Sequence, residues 1–165
     1  MAKSDSFFIR AALNCGHAAT YQQTTIDLGA YVDALGKSVL RIHNIAVTFS
    51  DEYGTSSVIT TAAAAQFQLV TQSQSDTVRP DNRAVISSGK INVDGAGALA
   101  EYVSTDFDNL PQLWTNGYLV AVDSIFLGGE ASAGFAGDVY CSIVMECTVE
   151  TMTQAAAMAL SLSQQ

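Results

Sequence analysis

The stretch "KSVLRIHNIAVTF", residues 37–49, decides how this chain is read, because it sets Arg41 and His43 inside an otherwise apolar run. Counted at period two, Leu40, Ile42 and Ala46 fall on one side. Val39, Ile45, Val47 and Phe49 fall on the other, together with Arg41 and His43. A strand with one face in water alternates apolar and polar residues, whereas a strand covered on both faces reads as a near-continuous apolar run. The segment is therefore expected to be a wall strand of a two-layer sandwich whose outer face meets a neighbouring subunit. Arg41 and His43 are expected to make structural hydrogen bonds or subunit contacts there.

The same period recurs along the chain. It is clearest in "VYCSIVMECTVETMT", residues 139–153, where Val139, Cys141, Ile143, Met145, Cys147 and Val149 alternate with Tyr140, Ser142, Val144, Glu146, Thr148 and Glu150. Before it, "NGYLVAVDSIFLGG", residues 116–129, reads as one strand rising from an Asn116-Gly117 turn and ending at Gly128-Gly129. The glycine-rich residues 128–138 then join the two as a hairpin loop. Further strands are expected in residues 6–13, 21–28, 65–72 and 83–93, giving about seven or eight. Two short helices are expected, one in "GAYVDALG" with Gly36 as its stop, and one in the alanine-rich residues 151–165.

No βαβ alternation appears, and residues 51–64 and 101–115 are too long for the hairpins of an up-and-down barrel. An all-β antiparallel sandwich follows, a single jelly roll of about eight strands over residues 1–150, with a short helical tail in residues 151–165.

Composition narrows the function. The chain has 165 residues, the size of one domain, but only 14% are Asp, Glu, Lys or Arg, against roughly 25% in ordinary soluble domains. A surface so short of charge is expected to be covered by neighbouring copies, the alternative being a surface of Ser, Thr, Gln and Asn, in which the chain is also rich. The net charge of −9 and the scattering of seven basic residues argue against direct nucleic-acid binding, which needs cations to neutralise phosphates, and no strong binding is expected. No run approaches the ~18 apolar residues of a membrane helix, and the first fifteen residues carry no leader-like apolar stretch, so no membrane insertion is expected.

Chemistry is sparse. Gly36-Lys37-Ser38 lacks the upstream glycine of a phosphate loop, since position 31 is tyrosine, and a strand follows where that motif needs a helix. Cys15, His17 and His43 lack metal-site spacing, and Cys141 and Cys147 lie roughly 20 Å apart along one strand. All three cysteines are expected to be free, buried thiols. Neither a nucleophile elbow nor a Ser-His-Asp setting occurs, so no enzyme, catalytic residue, bound metal or cofactor is expected. Asp106, Asp108 and Asn109, with Asp51 and Glu52, offer hard oxygens of the kind calcium takes, against the plainer reading of solvated loop carboxylates. Trp114 is expected either to cap the sandwich or to bury itself against another subunit.

Two segments carry a resemblance: residues 24–49, a strand, a short connection and a long strand, and residues 116–153, the closing strands. In this pattern the chain resembles the single jelly-roll capsid proteins of small icosahedral viruses. The resemblance implies a virion subunit, a homo-oligomer of many copies forming a closed shell beside other virion proteins, assembled in the host cytoplasm. It departs from many members in lacking an Arg- and Lys-rich arm ahead of the first strand, which suits a shell around an inner membrane or another protein layer, or one whose genome contacts come from another protein. A lectin-like or trimeric binding module, with residues 105–114 as its site, and a phage accessory or fibre component stand as alternatives.

Overall fold

The computed structural model describes residues 3–33, 35, 37–94 and 113–165. Eight strands run in chain order: β1 (Phe7–Asn14), β2 (Gln22–Asp27), β3 (Ser38–Ser50), β4 (Ala63–Val70), β5 (Val85–Val93), β6 (Leu113–Val120), β7 (Ser124–Ala131) and β8 (Tyr140–Thr151). Helix α1 (Gln154–Ser163) follows. One sheet has the order β1-β8-β3-β6 and the other β2-β7-β4-β5.

Every strand pairing is antiparallel, and four of them form the rungs of one long hairpin folded between β4 and β5: β4 with β5, β3 with β6, β2 with β7, β1 with β8. Curling this hairpin brings β8 against β3 and β7 against β4. The result is an eight-stranded jelly roll, a sandwich in which only the β4–β5 connection stays within one sheet. The expected fold class, strand number and closing helix are all present.

The core lies between the sheets. Inward positions of β8, Cys141, Ile143, Met145 and Cys147, cluster with Phe67 of β4 and Leu127 of β7, all at most 1% exposed. Period two places them on one face, and full burial of such an aliphatic side chain contributes about 1.5–3 kcal/mol.

β3 departs from the even alternation read in its sequence. Its register with β8 slips between Ile42, opposite Cys147, and Asn44, opposite Glu146. His43 is the extra residue of a β-bulge, so the inward set changes phase: Leu40 and Ile42 before it, Ile45, Val47 and Phe49 after it, all packed in the central core. The apparent apolarity of both faces is thus one inward face read across a bulge. The outward Val39 forms a small cluster with Ala121 and Ala157, so α1 of the same chain covers it.

Three other expectations are corrected. Residues 116–129 form two strands in different sheets, because the chain crosses the sandwich at Ala121 and Val122, both buried. Asn116-Gly117 lies inside β6, and Gly128-Gly129 lies inside β7. Since β7 and β8 belong to different sheets, residues 132–139 are a crossover and not a hairpin loop. Finally, the helix expected in residues 29–36 is absent from the described residues 29–33, which turn instead. The amides of Tyr31 and Val32 both reach Leu28 O at 2.9 Å, and Asp33 and Ser38 then exchange backbone bonds of 3.0 Å that reverse the chain. Burial of Leu28 and Val32 anchors that reversal; Gly36 lies outside the described residues.

Candidate functional site

The polar side chains of the β1-β8-β3-β6 sheet converge on its outer face at the bulge. Arg41 and the outward residues of β8 come together because Arg41 stands opposite Thr148 and Val39 opposite Glu150. The Arg41 guanidinium grips Glu150 with Nε 2.7 Å from Oε1 and Nη2 2.8 Å from Oε2, and its Nη1 donates to Asn116 O. Lys3 Nζ lies 3.1 Å from Glu150 Oε1. The Glu150 side chain has no solvent exposure, while that of Arg41 retains 14%. A planar fork on a buried carboxylate is the arrangement in which an ion pair offsets its own desolvation. The Arg41 hydrogen bonds, with help from Lys3, hold the Glu150 carboxyl at about 2.

Beside this pair, His43 Nε2 lies 2.9 Å from Thr148 Oγ1, and Asn44 Nδ2 donates to Glu146 Oε2 at 2.6 Å. The bulge turns His43 and Asn44 to the same side and extends the ladder. Gly117 makes room for it: its φ is +73°, and a Cβ there would stand 2.8 Å from both Arg41 Cγ and Ile42 O. The Asn-Gly pair therefore shapes β6 around the arginine, where the sequence pointed to a turn between strands.

The other sheet is braced with neutral groups. Gln68 of β4, fully buried, accepts from Val78 N at 2.8 Å and donates to Tyr21 Oη at 2.8 Å and Asp76 O at 3.1 Å. Gln66 donates to Thr77 Oγ1 and Glu130 Oε1, and Gln23 reaches Ser73 Oγ and accepts from Gln74 N. These bonds strap residues 71–84 across the outer face of their own sheet. Tyr21 passes over Gly128, where any Cβ would collide with the phenol. Between the strap and β5 lies a cleft of about 420 Å³, edged by Thr77, Arg79, Ser88 and Lys90.

The remaining sequence candidates are dispersed. Cys15, Cys141 and Cys147 are free and buried. Desolvation pushes the Cys15 thiol up to about 11, that of Cys147 to about 12, and raises Cys141 as well, so none is a thiolate at neutral pH. His17 pairs with Asp138, Nδ1 to Oδ1 2.6 Å, at an exposed end of the sandwich, far from the bulge residue His43 in the chain's topology. Hydrogen bonds from Asn14 and then His17 hold the Asp138 carboxyl below its usual range. Asp51 is occupied within its own loop, accepting from Tyr53 N, Thr55 N and Thr55 Oγ1 at 2.9, 2.8 and 2.5 Å. The Trp114 ring is half-buried and tilted against Tyr118, centroids 5.9 Å apart. Asp106, Asp108 and Asn109 lie outside the described residues. Among the described residues, no three of His, Cys, Asp and Glu gather to hold a metal, and no helix is long and apolar enough to cross a membrane.

Sequence reasoning singled out Arg41 and His43 but missed Glu150, Gln68, Tyr21 and Gln164. Gln164, just past α1, accepts from Ala121 N at 2.9 Å and donates to Leu119 O at 2.7 Å. Its amide takes the place of a neighbouring strand on the free edge of β6. Gln66 and Gln68 do alternate with Phe67 and Leu69, a signal for an outward face, but the full burial of Gln68 comes from the strap.

No protein-family model and no curated protein matches this sequence. Solved structures align with most of the chain at low identity. VP1 of Trichodysplasia spinulosa-associated polyomavirus, solved with sialylated glycooligomers, aligns at 9% identity and a TM-score of 0.49, covering 88% of this chain and 95% of that one. The structure of Cocksfoot mottle virus aligns at 10% identity and 0.43, covering 94% and 98%. The unassembled VP1 pentamer of Merkel cell polyomavirus aligns at 6% identity and 0.44, covering 90% and 97%. All three are structures of viruses or viral proteins, aligned at 10% identity or less.

Proposed function

We propose that this chain is a capsid-type structural subunit, non-enzymatic, that associates in many copies through the sides and faces of its jelly roll to build a closed shell. The observation that carries the reading is the use of its polar side chains. On both outer faces they are spent on bracing the sandwich from within, by Arg41–Glu150 on one sheet and by Gln66 and Gln68 on the other. Such bracing makes a stiff wedge, and repeated burial of its sides in an assembly suits a chain with 14% charged residues. Genome contacts fall to another virion component on this reading, because a net charge of −9 repels phosphate.

Electron microscopy and light scattering of the purified chain test the reading directly. Closed shells or large rings are expected. A stable monomer, or a trimer that binds a sugar, overturns it in favour of a recognition module.

A further inference from the structure

Helix α1 is apolar nearly all round. From Thr153 to Gln165 it carries no ionisable side chain, in a chain of net charge −9. A helix of this composition belongs in an interior, yet its own fold covers one side only, burying Ala157, Ser161 and Gln164. The opposite side exposes Ala155, Met158, Ala159 and Leu162, with Met158 43% and Leu162 69% exposed. These four sit at i, i+3, i+4 and i+7, one continuous stripe. Leu35, 73% exposed, stands by Ser161 and Gln165 across a neighbouring cleft that Asp33 and Asp123 also line, so the uncharged area ends there.

We propose that this stripe is a two-fold contact with a second copy of the chain, α1 packing antiparallel on α1. Its order is small, large, small, large. Turned about a two-fold axis between Met158 and Ala159, the stripe sets Leu162 of each copy against Ala155 of the other and Met158 against Ala159. Each large side chain then meets a small one, the complementarity that lets helices approach closely. Charge selects the same partner. Two copies that are both strongly acidic repel over most of their surfaces, and a segment without ionisable groups is where they approach without that opposition.

The contact deepens the shell reading by naming one of its interfaces, and rests on it in requiring self-association. Sedimentation of the full chain over a concentration series tests it, at physiological salt. Ala155→Glu and Leu162→Lys each put an unpaired charge into the contact and should raise the concentration of half-association about tenfold or more. Both suit the helix dipole and lie on exposed positions, so circular dichroism and the thermal midpoint should stay at wild-type values. In the double variant the new Glu of one copy faces the new Lys of the other, while within one helix they are two turns apart. Association should return to within a few-fold of wild type. Wild-type association by Leu162→Lys, failure of the double variant to recover, or a wild-type chain that stays monomeric overturns the proposal. Wild-type pairs that never grow into shells keep this contact and remove the shell reading. Shells that survive Leu162→Lys do the reverse.

Discussion

The two outer faces of the sandwich solve one problem with different chemistry. On the β1-β8-β3-β6 sheet a buried carboxylate, Glu150, is held by Arg41 and Lys3. On the β2-β7-β4-β5 sheet a buried amide, Gln68, holds a strap of the chain's own backbone through Val78 N and Asp76 O. The ionic brace joins strands already paired in one sheet, whereas the amide brace fastens a connection that has no ladder of its own. The first therefore stabilises the whole fold and responds to acid. The second stabilises locally and does not.

The sharpest way to break this contrast is Glu150→Ala. It leaves the Arg41 guanidinium largely buried without its carboxylate, a loss of about 3–5 kcal/mol, read as a lowered urea midpoint with unchanged slope. The acid response follows from the same group. The folded pKa of Glu150, about 2, lies below its ordinary value of 4.5, so its stabilisation is complete above pH 4.5 and fades as pH falls toward 2. Wild-type stability should decline through that window, and Glu150→Gln should decline less steeply. Equal slopes would mean that the ionic brace carries no net linkage.

Gln68→Met comes next, at about 1–3 kcal/mol, since it strips the Val78 amide of its acceptor while keeping the side chain's length. Hydrogen exchange should quicken at Val78 and leave the β3–β8 ladder unaltered, and the acid slope should match wild type. Uniform acceleration across both sheets would erase the distinction between local and global bracing. Smaller still is Gln164→Ala, about 1 kcal/mol, which uncovers the β6 edge. Faster exchange of the Ala121 amide is the expected signature.

Particular residues mark where sequence reading held and where it failed. Period two in residues 139–150 put Cys141, Ile143, Met145 and Cys147 on the core side and Glu150 on the other, as the fold has them. The same counting failed in β3, because a bulge adds one residue and reverses the sides beyond it. Nothing local distinguishes His43 as that extra residue; the partner strand, about a hundred positions away, decides. Asn116-Gly117 gave a true signal for positive φ but not for its use, since a left-handed glycine serves a kink within a strand as well as a turn between strands.

The sequence by itself determined the fold class of this protein, short strands at period two packed as a sandwich, because side-chain alternation is a local property of extended backbone. Tertiary structure alone decided which polar residues met. Arg41 finds Glu150 and Gln68 finds Val78 only after the long hairpin curls into two sheets, since cross-strand neighbours are set by register and closure and leave no mark on the local pattern.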